Sequence, residues 1–527
     1  MKAKALMFQG TGSHVGKTLL VAAFCKIFSD LGFHVAPFKA QNMSLNSYAT
    51  RDGREIARAQ ALQALAAGVE PKVEMNPILL KPKGDGKSQV IVLGKPYRDY
   101  GCESYYRDFA LDMGIRVVRE CLDLLMEEYD LVLIEGAGSP VEVNIYDYDI
   151  ANMKVAEIAG SPVLLVADID RGGVFASIYG TLALLKPEHR ELVKGVLINK
   201  FRGRYEVLKP GLDFIEKVTG KPVLGVIPYV NDLSLPFEDS VSLEDFNYLK
   251  KAEVDVNLVV VKLPRISNFT DFQPLSFEPD VSISYVKKPA DVDVEHVDAL
   301  ILPGTKNTVS DLAWVKEVGF DQLIYRLRRL EKPIIGVCGG YQMLGERIVD
   351  EEGVEGGVKG IYRGLSLLNV ETYFKGYDKH VKRVKVVATP FNEAFSGEEA
   401  YGFQCYEIHM GVSEVKEPCK PAFRIVEEEG RLVDKLDGAL SEDCLVIGTY
   451  LHGLFDDSAP RRAFINFLRK TKGLKPLSPS SSSAFEKWRH EIERFADIVL
   501  HNVDLQKIAA IAKLDVAENC LRILKRR

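Results

Sequence analysis

Twice in this chain a short apolar run gives way to glycines and then to a helical pattern. KALMFQG leads into GTGSHVGKT at 10–18, and KPIIGV leads into CGGYQML at 338–344. A strand that turns this tightly into a helix needs small residues at the turn, and such turns collect ligands at the carboxyl edge of an open α/β sheet. The surrounding sequence follows the same rule. KTLLVAAFCKIFSDLG has apolar positions at helical spacing and stops at Gly32, and HVAPFKA follows as a strand. Further buried strands are predicted at 130–138, 161–170, 194–201 and 221–229, each separated by a helix-length stretch. This alternation predicts an α/β fold with a mostly parallel, doubly wound sheet.

A polar, acidic stretch with a proline, NDLSLPFEDSVSLEDF, interrupts the pattern from residue 231. A second alternating series then runs from DVNLVVVKLP at 255–264 through SISYVKK, HVDALILPGT and KPIIGVCGG to CLVIGTYLHG. The expected organisation is a first α/β domain at 1–232, a linker at 233–253, a second α/β domain at 254–458 and a helical extension at 459–527. The extension contains the serine-rich PLSPSSSSAF at 476–485 and reads as charge-rich helices covering the body.

Composition removes several classes of function. With 527 residues, the chain has room for two or three cores. A net charge of −6 gives no footprint for nucleic acid or an acidic membrane surface. The eight cysteines include no CxxC pair, so neither a zinc knuckle nor a disulfide framework is expected, and a reducing cytoplasm fits best. MKAKALMFQG runs straight into the glycine loop and leaves no room for a signal peptide. No apolar run reaches the ~18 residues that span a bilayer.

The first candidate site is the loop at 10–18. It departs from GxxxxGK[ST], since Gly10 and Gly16 enclose five residues and Gly12 and Gly16 enclose three. Its physics is retained: successive backbone N–H groups of Gly12, Ser13, His14, Val15 and Gly16 can face phosphates, Lys17 adds charge, and the Thr18 hydroxyl can join a Mg²⁺ shell. ATP is the expected ligand. Glu135, just beyond the apolar DLVLI, is placed to hold Mg²⁺ directly or through water. ADIDRGG repeats the strand-end logic with Asp168, Asp170 and Arg171, although Asp170 and Arg171 equally suit a structural ion pair.

The second candidate site is Cys338. Glycines flank it at −2 and +2 as in a nucleophile elbow, which lifts the side chain above the sheet and aims backbone N–H groups at a developing oxyanion. His452 also follows an apolar strand, so both residues belong at strand ends of one sheet edge. An imidazole there would raise the thiolate fraction and shuttle protons during acyl transfer. His409 in YEIHMG is equally suited to a buried, hydrogen-bonded role.

Cys338 in its glycine context with a late histidine resembles the class I glutamine amidotransferases, and the variant loop with EGAGSP resembles the dethiobiotin synthetase-like ATPases. In this order the two are similar to the cobyric acid synthase (CobQ) family. KAQNMSLNSYAT at 39–50, DGREIARAQALQALAAG at 52–68, MNPILLKP at 75–82, DIDRGGVFAS at 168–177, LPGTKNT at 302–308 and YEIHMG at 406–411 extend the resemblance over nearly the whole chain.

The resemblance implies ATP- and glutamine-dependent amidation of four peripheral carboxylates of a corrinoid, adenosylcobyrinic acid a,c-diamide, in cobalamin biosynthesis. Each carboxylate would be phosphorylated and then displaced by ammonia released at Cys338. Gly339 and Gly304 are the expected oxyanion donors. The corrinoid is expected near Asn42, Ser44, Asn46 and Asp170, whose amides, hydroxyl and carboxylate suit a substrate passing from acid to amide. Many class I enzymes carry a glutamate two residues after the histidine; here that position is Leu454. Glu407, Asp456 and Asp457 are left as unranked candidates for orienting His452. The cobyrinic acid a,c-diamide synthases, an amidase for a non-corrin acid, and a P-loop switch ATPase with a degenerate second domain are the alternatives. The sequence leaves the oligomeric state open.

Overall fold

The computed structural model describes residues 3–516, apart from 85, 237–250, 252–253, 356, 377, 396–401 and 480–481. Most of the expected linker therefore lies outside the described residues. The first half is built on β1 (Lys4–Gly10), β2 (Val35–Phe38), β3 (Leu131–Glu135), β4 (Val163–Asp168), β5 (Val193–Phe201) and β6 (Val223–Pro228). They form one parallel sheet in the order β6-β5-β4-β1-β3-β2. Strands β2, β3 and β4 are buried along their whole length, as expected where helices cover both faces. Period-two alternation divides the side chains of β1, β3 and β4 between two cores: Met7, Val132, Ile134 and Leu165 face one, and Leu6, Phe8, Leu133 and Val166 the other.

The chain changes direction across the sheet at β1, and the crevice at that switch point opens onto the loop after β1. From this loop starts α1 (Lys17–Asp30), and α2 (Arg58–Ala67) packs beside it. Between β2 and β3 lies a smaller sheet of Gln41–Met43, Ile78–Gly84, Lys87–Val92 and Lys95–Gly101, which the sequence pattern does not announce.

The second half has β7 (Val256–Val261), β8 (Val281–Val286), β9 (Ala299–Leu302), β10 (Ile334–Val337), β11 (Lys379–Ala388), β12 (Phe403–Met410), β13 (Ala439–Leu440), β14 (Val446–Thr449) and β15 (Leu451–His452). Its main sheet runs β8-β7-β9-β10-β14-β13, parallel except for the last pair. Strands β11, β12 and β15 join Phe423–Glu428 and Arg431–Asp437 in a separate antiparallel sheet. Helix α3 (Gly339–Leu344) leaves β10 directly.

The halves meet over the segment between β2 and α2 and over the strand Ile78–Gly84. Asn268 Oδ1 accepts from Ser47 N at 3.1 Å, Arg383 Nε donates to the Ala49 carbonyl at 2.7 Å, and Arg265 Nε donates to the Lys83 carbonyl at 3.0 Å. Buried Glu55 is clamped between Lys81 of the first half and Lys379 of the second.

After the second sheet come α4 (Ser458–Thr471) and α5 (Ala484–His501). Arg461, Arg462 and Arg469 of α4 form buried ion pairs with Glu278 and Asp280, which fasten α4 to the second half. Helix α5 starts with a Ser483–Glu486 capping box and returns to the first half. There Trp488, Ile492 and Phe495 share a core with Phe24, Ile27 and Phe28 of α1.

Candidate active sites

The loop after β1 owes its shape to local sterics. Gly16 has φ 95°, and a Cβ there would fall 2.2 Å from Asn199 Nδ2, so only glycine fits. No acidic side chain occupies the first turn of α1, which leaves the helix N-terminus open to an anion. Lys17 Nζ donates to the carbonyls of Gly12 and Gly138 at 2.9 and 3.0 Å, so it bridges the loop and the turn after β3. Ser13 and His14 are exposed, whereas Val15 is buried.

Behind the loop, Thr18 Oγ1 donates to Glu135 Oε1 at 2.8 Å, and Lys39 Nζ meets the same oxygen at 2.8 Å. The other oxygen accepts from Gln63 Nε2 at 2.6 Å and Gln60 Nε2 at 3.3 Å, both from α2. Glu135 is thus a buried, fully engaged carboxylate. Asp168 pairs with Lys200 at 2.8 Å, and Lys200 reaches back to the His14 carbonyl at 2.7 Å. Asp170 does form an ion pair, but with Arg202 at 2.8 Å rather than with its neighbour Arg171.

The expected corrinoid residues are mostly turned inward. Asn42 donates to Gln60 Oε1 at 2.8 Å, and Asn42, Ser44 and Asn46 are all buried, because this segment forms the wall on which the second half rests. Of the four, Asp170 alone has a partly exposed side chain, 34%.

In the second half, Cys338 occupies the turn between β10 and α3 with φ 53° and ψ −110°. The backbone is crowded: a Cβ on Gly340 would fall 2.0 Å from the Leu302 carbonyl oxygen. That contact presses the elbow against the LPGT turn that carries Gly304. Cys338 N donates to the Thr449 carbonyl at 2.8 Å, and Val337 lies in register with Thr449 on β14. Cys338 therefore follows the end of β10, and His452 lies on β15, just beyond the end of the adjacent β14. Gly304 is also there, since its Cβ position lies 3.5 Å from His452 Cε1.

His452 Nδ1 lies 2.6 Å from Asp271 Oδ2. Burial alone would lower the imidazole pKa, but the Asp271 carboxylate and the Cys338 thiol outweigh it and carry it up to about 10. The charged form of His452 is therefore favoured well above neutrality.

The partner of His452 is a correction to the sequence reading. Asp456 pairs instead with Arg58 at 3.5 Å, and burial raises it to about 7. Glu407 faces His409 at 3.9 Å and rises to about 8, chiefly through burial. Asp457 Oδ2 accepts from Gln404 N at 3.1 Å. Asp271 sits in a short 3₁₀ segment, Phe269–Phe277, outside every strand-end motif. A usable signal was present, however: an acid set between two buried phenylalanines, Phe269 and Phe272, must find a partner. His409 is held by the Gly411 carbonyl at 3.0 Å and stacked on Tyr450 at 3.8 Å, and burial lowers it to about 3, consistent with a structural role.

Comparison with known proteins gives the same two-part division. Residues 6–242 match the CobQ/CobB/MinD/ParA nucleotide binding domain, and residues 257–460 match the CobB/CobQ-like glutamine amidotransferase domain. Over 516 residues the chain is 48% identical to a cobyric acid synthase of Moorella thermoacetica, covering 97% of this chain and 98% of that protein. It is 47% identical to that of Desulforamulus reducens, covering 96% and 97%, and 47% identical to a probable cobyric acid synthase of Methanothermobacter thermautotrophicus, covering 97% and 99%. Among solved structures, PurLQS from Thermotoga maritima is similar at 17% identity over 46% of this chain and 98% of that one, with a TM-score of 0.30, too slight a likeness to build on. A nucleotide-binding half and a glutamine amidotransferase half, matched over almost the full length of these relatives, place the chain in the cobyric acid synthase family of glutamine-dependent amidoligases.

Proposed function

We propose that this enzyme amidates the four peripheral carboxylates b, d, e and g of adenosylcobyrinic acid a,c-diamide, giving adenosylcobyric acid, through acyl phosphates. The observation that carries the reading is the pairing of two complete chemistries in one chain. A glycine loop opening onto a helix N-terminus lies at the switch point of one sheet, and a thiol lies beside an imidazole held by a carboxylate at the edge of the other, which supports this reading.

In the second half, Cys338 passes its proton to His452 and attacks the glutamine amide as the thiolate, with Gly339 and Gly304 as oxyanion donors, and His452 returns that proton to the nitrogen as the C–N bond breaks and ammonia leaves. A thioester remains and is hydrolysed. In the first half, Gly12 through Thr18 bind ATP and Lys17 leaves its two carbonyls for the phosphates. The oxygen donors present suit a hard cation. Thr18 would hold Mg²⁺, with Glu135 behind it, because both oxygens of Glu135 already accept from Thr18, Lys39, Gln60 and Gln63. When bound, Mg²⁺ offsets charge on the transferring phosphoryl group. The corrinoid would approach beside the γ-phosphate, with Asp170 at the rim and the Asn42–Asn46 segment as the floor behind it.

Incubation of adenosylcobyrinic acid a,c-diamide with ATP, Mg²⁺ and glutamine should give four successive acid-to-amide mass steps, each consuming ATP. Conversion of the unamidated acid in two steps, with the a,c-diamide inert, would assign the earlier amidation instead. Glutaminase activity with neither corrinoid converted would point to another acid.

A further inference from the structure

Arg58 is the first residue of α2 and belongs to the nucleotide-binding half, yet its guanidinium is committed to the other half. Arg58 Nη1 donates to Tyr406 Oη at 3.0 Å, and Arg58 Nη2 lies 3.5 Å from Asp456 Oδ2. Tyr406 Oη in turn donates to Asp271 Oδ1 at 3.0 Å, and the other oxygen of Asp271 holds His452. All of these residues are buried.

The hydrogen-bond inventory fixes the direction of this chain. A phenol has one proton to donate and two lone pairs with which to accept. The lone pairs of Tyr406 are taken by Arg58 and by Asn268 Nδ2 at 3.2 Å, so its proton has only Asp271 to go to. Asp271 is thereby held from one side by the phenol and presents its other oxygen to His452. The Tyr406 ring also stacks on the imidazole, with centroids 5.4 Å apart and planes 19° from parallel. Arg58 is supported in this dry position by the rings of Trp488 at 5.0 Å and Tyr48 at 5.6 Å. The pair with Asp456 fastens Arg58 to the second half, and the contact with Tyr406 is what leads to the imidazole.

We propose that Arg58 is a positioning residue for the glutaminase site, supplied by the nucleotide-binding half, which acts through the Tyr406 hydroxyl to fix Asp271 and hence His452. The proposal rests on the reading of Cys338 and His452 as the glutaminase pair. Glutamine hydrolysis then needs the docked partner half as well as its own residues.

The test uses the full-length chain and two assays: hydrolysis of glutamine, and synthesis from ammonium salt with ATP, Mg²⁺ and the a,c-diamide. Tyr406→Phe keeps the stacked ring and removes only the hydroxyl, and should lower the glutaminase kcat about tenfold with KM for glutamine little changed. Arg58→Met should lower it further, and Arg58→Lys should restore part of that loss. Synthesis from ammonium should stay close to the wild-type rate in all three. Wild-type glutaminase kcat in Tyr406→Phe and Arg58→Met would overturn the proposal, as would a loss confined to KM or one shared equally with ammonium-dependent synthesis. Cys338→Ala, assayed alongside, separates the two levels. If it still hydrolyses glutamine, the underlying reading fails; if it is inactive while the Arg58 and Tyr406 variants are unimpaired, only the positioning role fails.

Discussion

His452 is pulled in opposite directions, down by burial and up by Asp271 and Cys338, and the upward pull wins. The sign gives a pH prediction. A raised imidazole pKa keeps the charged form present as pH rises, until it is lost near pH 10. Removing the Asp271 charge takes away the largest upward influence and leaves burial opposed only by Cys338, so Asp271→Asn should move the alkaline limb of kcat/KM for glutamine hydrolysis to lower pH. An unmoved limb would show that Asp271 does not hold the proton on His452. At the same scale, Cys338→Ala should abolish glutamine-dependent synthesis and leave synthesis from ammonium largely intact, because the nucleotide loop lies on a different sheet; equal loss from both nitrogen sources would refute this division. Cys338 and His452 were legible because each follows an apolar strand and breaks its pattern. Asp271 was not, because a 3₁₀ segment has no periodicity to break and its partner lies far away in sequence.

Among the elements, those that carry ligand chemistry were the easiest to read. Buried parallel strands are continuous apolar runs, and β1, β3, β4 and β5 stand where such runs end in Gly10, Glu135, Asp168 and the Asn199–Phe201 stretch. The small mixed sheet between β2 and β3 was missed because its strands are half-solvated: Lys95–Gly101 is exposed or half-buried throughout, and Ile78–Gly84 carries Pro82. Function follows the legible elements. Since Lys17 sits on the first turn of α1, Lys17→Ala should cost about a hundredfold or more in synthesis with ammonium as well as glutamine, as neither nitrogen source bypasses carboxylate activation. Normal turnover with ammonium would take the loop out of the mechanism. Thr18→Ala should raise the Mg²⁺ concentration for half-maximal synthesis about tenfold, and an unchanged titration would remove Thr18 from the metal shell.

On the scale of the whole molecule, the two halves are stitched together by buried charge and by a return of the chain. Sequence reading took the last helices as a cover over the body. In the structure α5 is part of the core of the first half, with Trp488, Ile492, Phe495, Val499 and Leu500 packed in the same cluster as α1. At ~1.5–3 kcal/mol for each large apolar side chain, these five contribute roughly 10 kcal/mol, as much as the net stability of a typical domain. A chain truncated after residue 475 should therefore be recovered as aggregate, or bind a hydrophobic dye strongly, despite keeping both sheets. A soluble, dye-silent product would show that α5 is dispensable. The order of manufacture gives this packing a further meaning. Helix α1 leaves the ribosome long before α5, so the nucleotide-binding half waits with an uncovered apolar face until α5 has been made. Until α5 closes it, that face is a site for chaperone capture or for mispairing between neighbouring nascent chains.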